Sequence, residues 1–99
     1  MIRAYLINPI TIKALVSRDE WQEPAWKLVS TMARVDWGSR LVRNLKGEQV
    51  ISSALIYLSP DIKAIAHDDR IIIDGVEHLI VRIEEKADFK FDHWEIYIQ

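Results

Sequence analysis

The 99-residue sequence predicts a mainly β fold: a small single-domain β-barrel of about six short antiparallel strands with long loops. Three observations predict it. From about Val29 onward, apolar side chains recur at every second position, the period of a strand with one face buried. An Asp-Gly pair stands between two β-branched runs, the strongest short-range signal for a hairpin. Turn residues punctuate the chain at short intervals, and no segment has the length and spacing of a convincing long helix.

Near the N-terminus, Ile10, Ile12, Ala14 and Val16 alternate with Thr11, Lys13, Leu15 and Ser17, which suits a strand over 10–16. The charged stretch 18–26 contains Pro24 and reads as a loop. Next, Val29, Thr31, Ala33, Val35 and Trp37 define one face of a strand that Gly38-Ser39 is expected to break, with 40–43 as a further short strand and 44–47 as a polar turn centred on Gly47. Residues 48–59 also satisfy a helical spacing. The turns on either side favour a strand instead, with Ala54, Ile56 and Leu58 inward. In 70–83, Asp74-Gly75 supplies the two positive φ angles of a type I′ turn, and Leu79, Val81 and Ile83 are expected on one face with His78 and Arg82 on the other. Finally, Trp94, Ile96 and Ile98 alternate with Glu95, Tyr97 and Gln99 in a half-buried strand. Val35, Leu79, Val81 and Ile96 are core candidates, as are Trp37 and Trp94.

With 49% hydrophobic and 28% charged residues the chain can fold around its own core, and with no repeat and few Gly or Pro, residues 1–99 read as one domain. The absence of cysteine excludes a disulfide frame, a thiolate metal site and a cysteine nucleophile. The first seven residues lack the pattern of a secretion signal, and no 18 apolar residues run together, so no membrane association is expected. The net charge of -2 argues against a general nucleic-acid binder, but it is unevenly divided: residues 1–59 carry +3 and residues 60–99 carry -5. The two halves could meet between copies in a head-to-tail ring, or both could simply be solvated surface.

Enzyme signatures fail one by one. There is no Gly-rich phosphate loop, no G-x-S-x-G elbow and no H-E-x-x-H. His67, His78 and His93 have no ligand partner at metal-binding spacing. Glu84 and Glu85, as strand neighbours, would point to opposite faces, and Asp68-Asp69 reads as a turn and solvated loop. No catalytic residue, cofactor or metal is expected. Trp21 and Trp26 fall in the polar stretch before the second strand, where large aromatics can anchor a partner or fold back over an open end of the barrel. Arg34, Arg40, Arg43 and Lys46 form a local basic cluster that could touch a nucleic-acid backbone, as in a small nucleic-acid-binding β-barrel module; an ordinary charged hairpin has the same composition.

The order of these segments carries a resemblance. A strand ending in Ala33-Arg34-Val35 is followed by Gly47-Glu48-Gln49-Val50 leading into a strand, then by the Asp69 to Val81 hairpin with its central Gly75, and then by His93-Trp94-Glu95-Ile96-Tyr97. Over about the last two thirds of the chain this resembles the head-tail joining proteins of tailed phages, also called head-closure, stopper or minor capsid proteins. The match is to a G-E-x-V stretch, a D-x-I-x-x-x-G-x-x-x-x-V hairpin and an H-x-E-V-Y-type closing strand, with Ile96 in place of the usual Val. The resemblance implies a non-enzymatic β-barrel in the virion, made in the host cytoplasm, monomeric alone and forming a ring below the portal and adaptor. There it would retain the packaged DNA, with passing contact at Arg34, Arg40, Arg43 and Lys46, and receive the tail. It also implies interfaces in the loops 18–27 and 60–68, with Trp21, Trp26, Asp61, Lys63, His67 and Asp68 as the candidate residues.

Overall fold

A computed structural model describes residues 8–18, 24–59, 65–87 and 92–99. The protein is mainly β, and the described residues form a single compact unit of six antiparallel strands: β1 (Asn8–Arg18), β2 (Pro24–Arg43), β3 (Gln49–Leu58), β4 (Arg70–Ile73), β5 (Val76–Ala87) and β6 (Asp92–Ile98). Among the described residues no helix is long and apolar enough to cross a membrane.

The pairings run β1-β2-β3-β6-β5-β4, and β4 returns to β1 through Thr11↔Ile72, Ile12↔Ile71 and Lys13↔Arg70, so the circuit closes. Cross-strand rows show how far the strands tilt. One row passes from Trp37 on β2 through Ala54 and Ile98 to Ile80 on β5. The neighbouring residue Leu79 continues through Arg70 and Lys13 back to β2, but at Leu28, well upstream of Trp37. Such a stagger is what closure of a strongly twisted sheet requires.

The inward face supplies the core: Ile10 and Ile12, Ala33, Ala54, Ile56 and Leu58, Ile71 and Ile73, Ile80, and Ile96 and Ile98. Val29, Val35, Ile65, Ile83 and Trp94 pack against it. Short β-branched side chains at alternate positions suit the narrow interior of a small closed sheet. In β3, Ala54, Ile56 and Leu58 are fully buried, as the alternation predicts, and the helical reading of 48–59 is set aside. Ser52 continues that stripe; its hydroxyl lies 2.8 Å from the Ala54 carbonyl and 3.0 Å from the Ile98 carbonyl, so one proton serves the junction of β3 and β6.

Several expectations need correction. Gly38-Ser39 does not break a strand: β2 continues for 20 residues, and the glycine, at φ +151°, occupies a bulge where the register slips between Trp37 and Arg40. Not all strands are therefore short. Trp26 belongs to β2, opposite Leu15, and not to a loop. Trp37 shares the inward face with Ala54, but the β3–β6 ladder ends level with it at Ala54↔Ile98, and the side chain is 56% exposed beside His78, ring centroids 5.8 Å apart. Leu79 is 50% exposed and points outward, while Ile80, at 7%, takes the core position. A second bulge, between Ile80 and Arg82, absorbs Val81 and returns Ile83 to the inside. Such bulges bend a small sheet enough to close.

Candidate functional site

Three features of the outer surface merit description. The first is an arm. Beyond Ala54 and Ile98, β2 and β3 continue as a two-stranded hairpin with no other ladder neighbour among the described residues, paired Arg40↔Ser52, Leu41↔Ile51, Val42↔Val50 and Arg43↔Gln49. Its turn is built by Asn44, whose side-chain oxygen accepts the N–H groups of Lys46 and Glu48, both at 3.0 Å, and by Gly47 at φ +82°. The Arg43 guanidinium donates to the Gly47 carbonyl at 2.8 Å. Two side chains hold the arm in place: Arg82 donates to the Arg43 carbonyl at 3.2 Å, and Gln99 to the Ile51 carbonyl at 3.2 Å. On the arm's outward face Leu41 and Ile51, direct partners across the strands, are 66% and 62% exposed, and Leu45 at the tip is 74% exposed.

The second is the outer face of β2-β1-β4-β5, where Leu28, Lys13, Arg70 and Leu79 form one cross-strand row. Next to it the half-buried Trp26 ring lies under two cations, with Lys13 Nζ 4.8 Å and the Arg70 guanidinium 5.8 Å from its centroid. Lys13 also pairs with Glu77 at 2.9 Å. This arrangement can hold an aromatic or anionic group against a fixed ring. The third is an open groove of about 460 Å³, lined by Pro9, Ile10, Met32, Ile72, Asp74 and Gly75 among others. It forms where the β1–β4 ladder stops at Thr11↔Ile72. Pro9, which has no N–H to donate, lies just beyond that point, and β4 turns away at Asp74-Gly75.

Of the interface candidates, Trp21, Asp61 and Lys63 lie outside the described residues. Trp26 sits beside that row, its ring near Lys13 and Arg70. His67 and Asp68 form the middle of a turn closed by Asp69 N–H to the Ala66 carbonyl at 3.0 Å. Asp68 is exposed, but Asp69, expected to be solvated, is buried: its carboxylate accepts Leu15 N–H and Ala66 N–H, each at 2.9 Å, and fastens this turn to β1. The basic cluster does not gather on one face. Arg34 is paired with Tyr57 on the outside, whereas Arg40 lies opposite Ser52 and is bound to Asp36 at 3.0 Å. Arg43 and Lys46 are at the arm's far end, roughly 30 Å of strand from Arg34. Asp74 and Gly75, at φ +51° and +79°, form the hairpin turn.

Sequence reasoning did not find the arm's apolar face, the groove or the Lys13–Trp26–Arg70 group. Each depends on which residues meet across strands. Leu41 and Ile51 were visible as apolar residues flanking a turn, and that was the available signal for the arm. Among the described residues, no group of three or more His, Asp or Glu is placed to hold a metal ion. Comparison with protein-family models, curated proteins and solved structures finds no match.

Proposed function

We propose that this chain is a small β-barrel that joins head to tail in a tailed phage or prophage, assembling as a ring below the portal and adaptor. There it closes the DNA-filled head and receives the tail. The observation that carries the reading is the arm: a closed sheet with a satisfied core projects a hairpin whose outward residues Leu41, Leu45 and Ile51 are uncovered. Apolar side chains grouped on a projection are the mark of a part that is completed by neighbours. The order of the strands, with the Asp74-Gly75 hairpin and the His93–Tyr97 segment in the positions the phage family uses, supports the same reading. An assembly part needs no catalytic group, and its natural location is the virion neck.

The test is to remove this chain from phage production and image the particles. Filled heads should lose DNA, and density for a ring at the neck should vanish and return on complementation. Heads that stay filled, with unchanged necks, would sink the proposal. A nucleic-acid-binding module is the second reading, favoured by the Trp26 ring beside Lys13 and Arg70. It predicts binding to short single- or double-stranded DNA that weakens steeply with salt, measured by fluorescence anisotropy at two ionic strengths.

A further inference from the structure

The arm and the groove are complementary, and they lie on different parts of the surface. A two-stranded hairpin is marginal by itself, so Leu41, Leu45 and Ile51 gain stability from a surface that removes them from water. The groove of about 460 Å³ is walled by Pro9, Ile10, Met32 and Ile72. A cavity of roughly 150 Å³ already holds a benzene-sized group, so there is room for more than one aliphatic side chain. Charge matches as well. The exposed Lys46 stands at the apolar tip of the arm, next to Leu45 and two residues from Glu48, and the exposed Asp74 lines the groove. The arm's own groove is not its partner, because the hydrogen bonds from Arg82 and Gln99 hold it toward β5 and the end of β6.

We infer that the arm of one copy seats in the groove between β1 and the β4–β5 turn of the next copy, with Lys46 meeting Asp74. Because the two patches differ, the contact is head to tail, and repetition gives a ring when the rotation closes. The inference rests on the neck reading in one respect, that copies of this chain meet one another.

The native chain has no cysteine, so introduced thiols report the contact without background. Leu45→Cys on the arm and Met32→Cys in the groove both replace exposed side chains. At millimolar concentration under mild oxidation, the double variant should give a ladder of disulfide-linked species beyond the dimer on a non-reducing gel. Each single variant should remain monomeric. The inference is overturned if the double variant stays monomeric with a native circular dichroism spectrum, or if Leu45→Cys alone dimerises as well as the pair. In the double-cysteine background, Lys46→Gln and Asp74→Asn should each lower ladder yield by roughly threefold to tenfold, and together by no more than either alone. Asn tolerates the positive φ at position 74, so the turn survives. Multiplying losses would show that the two groups act separately and would overturn the assigned partner. A ladder together with unaltered necks in phage lacking the chain defeats only the neck proposal. Loss of neck density without any ladder defeats only this contact.

Discussion

Asp69 accepts two backbone N–H groups from segments far apart in the chain, Leu15 on β1 and Ala66 in its own turn. Leu15 borders the bulge between Leu15 and Ser17, where the β1–β2 ladder is irregular. A buried carboxylate there supplies a strong, charge-assisted acceptor. Asp69→Ala should therefore cost about 2–4 kcal/mol, because it leaves two N–H groups without their acceptor in a site water reaches poorly. Chemical denaturation would measure the loss, and a change below about 0.5 kcal/mol would mean that the turn is held by something else. The sequence shows an Asp-Asp pair before a strand and assigns both to solvent; it is correct for Asp68 and not for Asp69. Composition does not separate the two: one donor, Ala66, lies in the same turn, but the other, Leu15, is 54 residues away. Trp37 fails for a related reason: alternation gives its face correctly, but not that β6 ends level with it and leaves it uncovered.

The turn of the β4–β5 hairpin was legible, because its chemistry is local. Asp-Gly fixes the turn, and the two φ angles of +51° and +79° are those a type I′ turn needs. A Cβ built on Gly75 meets nothing within 4 Å, so the expected cost of Gly75→Ala is conformational alone, about 1 kcal/mol. A thermal shift of a few degrees without change in the spectrum of the folded state would check it; a loss of several kcal/mol would reveal a packing role for the turn. The facing of β5 was less legible. Leu79 and Val81 compete with Ile80 for the inside, and hydrophobicity does not choose between them. Pairing of Ile80 with Ile98 chooses Ile80, and the bulge at Val81 then restores Ile83 to the core. β2 shows the converse: Gly38 signals a turn and a bulge equally, and the continuous partner strand β3 decides for the bulge.

At the scale of the molecule, closure depends on pairings that are remote in sequence. Thr11 meets Ile72, and Ala54 meets Ile98, so neither seam forms until most of the chain is in place. Alternation and turn signals made a six-stranded antiparallel fold legible, but strand order is set by which faces the twist brings together. The insertion of β6 between β3 and β5 therefore could not be read from spacing. The same remoteness has a kinetic consequence. Loop-closure entropy must be lost before the seams return any stabilisation, so folding should take milliseconds to seconds, slower than for a helical chain of this length. Since every buried strand contributes to one core, unfolding should be a single transition. Stopped-flow tryptophan fluorescence with far-ultraviolet circular dichroism in denaturant tests both. Coincident transitions and one exponential in that range are expected. Two separated transitions would mean that the β1–β2–β3 meander holds together without the β4–β5–β6 strands, and that closure of the circuit is a later, weaker step than its shared core implies.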